Sequence, residues 1–348
     1  MVTIRVNAST PYDVTIERGD AWIDRVPYFS CSTVWVITDE TVDRLHGTAF
    51  RTRLEASARP IVWSVVRPGD GSKSLATIER LVADGLTSGC DRDTLVVAFG
   101  GGMIGDLAGF LASVYMRGLH YIQVPTTVLA HDSAVGGKVA VNHPLAKNAI
   151  GAFYQPAGVH YNVDRLETLT DRDVLSGLGE LIKHAYLSRY VLGHSFETEL
   201  FTALAEGLLD WEAWLARGIE VKRQVVETDE REHGVRAWLN FGHTFGHALE
   251  SVEAYRLAHG EAILYGMVYA FLVAGDVSRA ETLAGFMKQQ AITPVVWQPF
   301  EAYLEVMRHD KKNRTGQIRF VLLGEEVTVT SVKTERLVEA YNQLKGWF

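Results

Sequence analysis

TLVVAFGGGMIGDLAGFLASVYM, residues 94–116, reads as a strand, a glycine turn and a helix in succession. TLVVAFG (94–100) is a short apolar run rich in branched side chains, and GDLAGFLASVYM (105–116) carries apolar residues at helical spacing. The same alternation continues on both sides. TVWVIT (33–38), PIVWSVV (60–66) and YIQVPTT (121–127) read as strands, PGDGS as a turn and SLATIERLVADGL (74–86) as a helix. Strands alternating with helices predict a parallel sheet. Gly100, Gly102 and Gly105 satisfy G-x-G-x-x-G, a pattern that lets backbone approach a pyrophosphate at a helix N-terminus. The acid that usually follows about twenty positions later is missing from YIQVPTT, so this is a Rossmann-like sheet with a non-standard nucleotide half. Acids able to hold a ribose lie upstream, at Asp39 and Asp70. The plain alternative for the glycines is a tight turn with no ligand.

After about residue 166 the texture changes. Amphipathic stretches cover 171–190, 195–230, 240–258 and 260–290, and IRFVLL (318–323) is the one marked strand run. The expectation is an α/β domain over 1–165 and a mainly α-helical domain over 166–348, with a ligand in the cleft between them. With 348 residues, the chain is long enough for two cores. Its net charge of -8 argues against general binding to nucleic acid or anionic membranes, and leaves room for a small anion held by local cations. Cys31 and Cys90 are too few for a disulfide framework or a thiolate zinc site. MVTIRVNAST resembles no secretory leader, and no apolar run approaches the roughly 18 residues of a membrane span, so a cytoplasmic location is expected.

LNFGHTFGHALE (239–250) places His243 and His247 four apart, on one face of a helix. His259, in AHGEA, falls sixteen residues after His243, nearly on the opposite face of any straight helix through both. Sharing a metal therefore requires the helix to end and the chain to turn back within SVEAYRLAHGE. Glu180, in GLGELIKHAY, is read as the start of another helix, with Lys183 one turn away. One carboxylate and two imidazoles (Glu180, His243, His259) make a usual catalytic zinc set, whereas adding His247 would close the site. An open position favours His247 as a proton carrier. Spacing alone leaves both arrangements standing, beside the plain reading of ordinary partnered histidines.

Five blocks occur in a fixed order: GGGMIGDLAGFLASVYMRG, QVPTTVLAHDSAVGGKVAVNHPLAKNAIGAFYQP, SGLGELIKH, LNFGHTFGHALE and HGE. Together they closely resemble the 3-dehydroquinate synthases, a family of sugar-phosphate cyclases, and the resemblance runs from about Val36 to the DKKN at 310–313. It implies zinc or cobalt held by Glu180, His243 and His259, with His247 beside the substrate. It implies substrate contacts from Asp132, Lys138, Asn148, Lys183, Lys222, Arg236, Asn240 and Glu232, joined by one or both of Lys311 and Lys312. Arg117 would reach the phosphate of a neighbouring subunit, which implies a homodimer. NAD contacts would come from Asp39, Asp70, Lys73, Gly101, Gly102, Met103, Asp106, Thr126, Thr127, Lys138, Lys147 and Thr168. Each has a plain alternative: Lys73 and Lys222 as solvated charges, Asp106 as a helix cap, Asn240 as a satisfied amide. The chain departs from the family pattern at Asp70, Thr41, Ala146 and Arg165, the last in place of a commonly aromatic residue near NAD.

The implied substrate is the anion 3-deoxy-D-arabino-heptulosonate 7-phosphate. The implied course is transient oxidation by NAD, β-elimination of phosphate, re-reduction, ring opening and aldol closure to 3-dehydroquinate. Arginine suits its carboxylate and lysine its phosphate. Rival readings are a cyclase of the 2-deoxy-scyllo-inosose synthase type, a metal-dependent polyol dehydrogenase, and a non-catalytic NAD-binding dimer.

Overall fold

The computed structural model describes residues 1–25, 30–57, 59–309 and 318–348. Lys311 and Lys312 lie outside the described residues. Two compact units form: Met1–Leu169 with Leu209–Arg231, and Thr170–Leu208 with Glu232–Phe348.

The first unit is built on β1 (Val2–Val6), β2 (Tyr12–Glu17), β3 (Val34–Asp39), β4 (Ile61–Val66), β5 (Leu95–Gly100) and β6 (Tyr121–Pro125). A hairpin of β7 (Lys138–His143) and β8 (Ala146–Phe153) follows, then β9 (Gly158–Asn162). The main sheet runs β1-β2-β9-β6-β5-β3-β4, parallel throughout except for the antiparallel β1–β2 pair. Helices α1 (Thr48–Glu55), α2 (Leu75–Thr87) and α3 (Gly102–Val114) belong to this unit.

β3 and β5 are buried at every position, as expected of parallel strands covered on both faces. Alternation sorts their side chains: Trp35 and Ile37 pack with Leu107 and Leu111 of α3, while Val34 and Val36 pack with Phe50 of α1. Strands β3 to β6 and helices α2 and α3 fall where the sequence places them. α3 starts at Gly102 rather than Gly105, inside the glycine run. β1 and β2 alternate apolar and polar residues, and β9 and the β7–β8 hairpin do so less regularly, but none of these was among the expected strands.

Past β9 the chain forms α4 (Asp171–Val191) and α5 (Glu197–Glu206), then α6 (Trp211–Thr228). α6 belongs to the first unit, where Leu215 and Ile219 pack with Val6, Tyr12, Val14 and Val159. The division thus differs from a single cut near 165. The second unit continues with α7 (His243–Val252), α8 (His259–Ala274), α9 (Val277–Gln289) and α10 (Phe300–His309). It ends with the hairpin β10 (Arg319–Leu323) and β11 (Val327–Ser331), then α11 (Thr334–Trp347). α8 is buried from Gly260 to Val273, the signature of a helix surrounded by others. Glu180 lies in the middle of α4, not at a helix start, because Thr170 caps that helix ten residues earlier at the Asp173 N–H. Among the described residues no helix is long and apolar enough to cross a membrane.

Candidate active site

In the second unit two glycines set the geometry. A Cβ at Gly260 would lie 1.8 Å from the Ser176 carbonyl oxygen, and one at Gly179 would lie 2.5 Å from the Gly260 carbonyl oxygen. Only bare backbone permits α4 and α8 to approach so closely. Each glycine neighbours an expected ligand, so the crossing brings His259 Nε2 to 3.1 Å from Glu180 Oε1. The chain reverses between α7 and α8 through Ala254 and Tyr255, both left-handed at φ 49° and 60°. That turn brings back the second imidazole, and His243 Nε2 lies 3.5 Å from the same Glu180 oxygen. The acid of HGE braces the backbone instead. Glu261 reaches back to the Ala258 N–H at 2.7 Å and fixes the start of α8.

One ligand atom from each of Glu180, His243 and His259 lies within 4.8 Å of the others. A carboxylate and two imidazoles facing one point fit a zinc-like cation with room for an exogenous ligand. His247, one turn along α7, has its ring 5.1 Å from that of His243 and 6.0 Å from that of His259, centroid to centroid. His247, Glu250 and His259 also group within 4.8 Å, so His259 is shared between two possible sets. Glu180 is ion-paired with Lys183, and both side chains are buried. Burial alone would lower the pKa of His259, but hydrogen bonds to the Glu180 and Glu250 carboxylates outweigh it and push it up to about 10. The cluster attracts positive charge. Nearby in sequence, Asn240 Nδ2 donates to Glu232 Oε1 at 2.9 Å and to the Ala237 carbonyl, and Arg236 is buried.

In the first unit the glycine turn follows β5. A Cβ at Gly101 would lie 3.0 Å from Thr127 Cγ2, and one at Gly102 would lie 2.8 Å from Ser133 Oγ. Gly101 caps α3 with no side-chain hydrogen bond, leaving the first N–H groups of that helix to an anion. This fits a pyrophosphate. Thr126 N–H donates to the Gly100 carbonyl, which holds the loop after β6 against the glycines. Met103 occupies the first turn of α3.

Asp106 is no helix cap. It sits a turn inside α3 and pairs with Lys73, which also donates to Asn148. Burial raises the Asp106 pKa and the Lys73 charge opposes it. Lys73 and Lys222 are buried rather than solvated, and Lys222 pairs with the Asp132 carboxylate at 3.0 Å. Lys147 pairs with Asp70 at 2.9 Å, so the shorter acid at 70 still meets a lysine.

Asp39, at the end of β3, accepts from the Thr41 and Val42 N–H groups, and burial raises its pKa against those bonds. Lys138 opens β7 with its side chain exposed. Thr168 bonds His46 at 3.0 Å. Arg165 is drawn into the core, paired with Asp20 at 2.6 Å and stacked over Phe50 and Phe99, beside a cavity of about 140 Å³. Arg117 stands exposed on a turn in which it and Met116 are both left-handed.

Glu250 and the glycine pair Gly179/Gly260 were not among the expected site residues. The signal was present: 243, 247 and 250 share one helical face, and each glycine adjoins a ligand.

Comparison with known proteins agrees with the reading of the whole chain. Residues 63–176 match the profile of the 3-dehydroquinate synthase N-terminal domain, and residues 177–313 that of its C-terminal domain. The chain is 65% identical to the 3-dehydroquinate synthase of an Exiguobacterium species, covering 100% of this chain and 99% of that one. Among solved structures it resembles 2-deoxy-scyllo-inosose synthase in complex with carbaglucose-6-phosphate, NAD+ and Co2+, with a TM-score of 0.83 at 23% identity, covering 98% of this chain and 100% of that one. It also resembles the 2-epi-5-epi-valiolone synthase ValA of Streptomyces hygroscopicus with NAD+ and Zn2+ bound, with a TM-score of 0.82 at 22% identity, covering 96% and 97%.

Proposed function

The chain belongs to the 3-dehydroquinate synthase family, and on that premise we propose how its own side chains serve the reaction. It is an enzyme of that type, converting 3-deoxy-D-arabino-heptulosonate 7-phosphate to 3-dehydroquinate and phosphate, a step of aromatic amino acid biosynthesis. The geometry that supports the reading best is the convergence of Glu180, His243 and His259 on one point.

When bound, NAD supplies a hydride acceptor restored within each turnover, and a zinc or cobalt ion supplies Lewis acidity at the oxidised carbon's oxygen. Glu180, His243 and His259 hold the ion. The glycine turn with Met103, Thr126 and Thr127 holds the pyrophosphate, and Asp39, Asp70, Lys73, Asp106, Lys138, Lys147 and Thr168 hold the rest of the dinucleotide. Lys138, Lys183, Lys222 and Arg236, joined by one or both of Lys311 and Lys312, neutralise the substrate's carboxylate and phosphate. Asp132, Asn148, Glu232 and Asn240 orient its hydroxyls. His247 moves a proton at the substrate hydroxyl through a ring nitrogen. Arg117, exposed on its strained turn, serves the site of a second copy in a homodimer. A cytoplasmic location completes the proposal.

Cation-lined binding of a substrate that carries both a carboxylate and a phosphate distinguishes this reaction from polyol oxidation. The purified enzyme with NAD and zinc is expected to release one phosphate per heptulosonate phosphate with no NADH absorbance accumulating. NADH rising in step with substrate loss would make it a dehydrogenase instead.

A further inference from the structure

Both imidazoles facing Glu180 have their second nitrogen held by an oxygen. His243 donates Nδ1–H to the Phe241 carbonyl at 3.1 Å. His259 donates Nδ1–H to Glu250 Oε1 at 3.3 Å. In both rings Nε2 is the atom turned to Glu180, and a ring that donates from Nδ1 offers Nε2 as the lone pair once a cation takes the place of the proton it shares with the carboxylate. The two supports differ in charge. A carbonyl only orients its ring, while a carboxylate also increases the electron density available at the far nitrogen.

We infer that Glu250 is a positioning residue for His259: it fixes the tautomer and the ring plane, and strengthens Nε2 as a donor to the cation. The inference rests on the proposed role of Glu180, His243 and His259 as metal ligands. Three observations carry it. Glu250 is only 6% exposed, and a buried carboxylate is retained only where it has a partner. It faces the side of the His259 ring away from Glu180, so it supports the ligand rather than joining it. Its backbone carbonyl accepts the Tyr255 N–H at 2.8 Å, so the residue that orients the ring also closes the turn that delivers it. Side-chain substitution leaves that backbone bond in place.

The test uses the full-length protein stripped of metal, with zinc affinity measured by chelator competition and the visible spectrum recorded after cobalt loading. Glu250→Ala is expected to weaken zinc binding by about 10- to 100-fold while still binding one ion at saturation. Glu250→Gln retains an oxygen that accepts the N–H, so its loss is smaller and its cobalt spectrum returns toward that of the wild type. Glu180→Gln serves as the ligand control and is expected to lose stoichiometric binding. If Glu250→Ala binds zinc within about threefold of wild type with an unchanged cobalt spectrum, the inference is overturned. Loss as complete as that of Glu180→Gln would make Glu250 a ligand and overturn it as well. Should Glu180→Gln itself bind zinc normally, the metal reading fails and the inference with it. Melting of the metal-free variants controls for folding, and the near-isosteric glutamine carries the test if the alanine variant does not fold.

Discussion

His243 and His247 are the same residue type on one helical face, separated in role by what each ring meets. His243 turns Nε2 to Glu180, whereas His247 stands one turn further along α7. His243→Ala is therefore expected to purify without zinc, and His247→Ala to keep zinc but lose turnover by about 100-fold or more. Metal analysis of both proteins decides it, since equal loss would count His247 among the ligands.

Another histidine predicts a pH effect on stability. His160 is buried against the Trp22 ring, 4.3 Å away and nearly parallel, with the Thr15 hydroxyl at 2.7 Å. Burial, and then the Arg25 charge, push its pKa down to about 3. The unfolded chain takes up that proton near 6.5 and the folded one does not. Its stabilising effect is therefore complete above about 6.5 and falls by about 1.4 kcal/mol per pH unit below, until about pH 3. Between pH 7 and 5 the wild type should lose about 2 kcal/mol more than His160→Gln in urea unfolding. Parallel losses would mean that the folded protein accepts the proton.

Residue type and spacing made Glu180, His243 and His259 candidates, and the family resemblance is what singled them out as one set. Glu250 shares the face of His243 and His247, yet that placement gave it no role, because a supporting carboxylate resembles any other helical glutamate until the ring it faces is known.

At the scale of elements, the close crossing of α4 and α8 matters more than either helix alone. Gly260→Ala would push a methyl group into the Ser176 carbonyl, where backbone rather than a flexible side chain must yield. The expected cost is about 1–3 kcal/mol, with zinc affinity falling as His259 moves off Glu180. Thermal melting and chelator competition measure the two effects, and an alanine variant normal in both would show that the helices separate without consequence.

Elements with one dominant period were readable in advance: β3, β5 and β6 as apolar runs, α2 as an amphipathic helix. β7 and β8 were not, because their apolar stripe is short: Val139 and Val141 on one strand, Ile150 and Ala152 on the other, set among small and polar residues. The end of α7 was readable only as a requirement, that the chain turn before His259. The left-handed pair Ala254–Tyr255 that meets it uses residues with no turn signature.

For the whole molecule, the proposed homodimer makes a prediction that no single chain can satisfy. If Arg117 serves a second copy, Arg117→Ala and His243→Ala proteins, each inactive, should regain activity when their subunits exchange. Each mixed pair then contains one complete site, giving about a quarter of the wild-type rate after random exchange. No recovery, in a mixture shown by sedimentation to exchange subunits, would place the arginine at its own chain's site.

The change of texture near residue 166 was legible, and it falls close to where the first unit's opening segment ends at Leu169. The return of Leu209–Arg231 was not, because the amphipathic pattern of α6 records that one face is buried but not which sheet buries it. That return has a consequence during synthesis. The face of β1, β2 and β9 that takes Leu215 and Ile219 leaves the ribosome well before either side chain exists. At about 5–20 residues per second, the sheet waits several seconds with an apolar surface uncovered while 170–208 emerge. The nascent chain is most open to chaperones, and to wrong partners, in that interval.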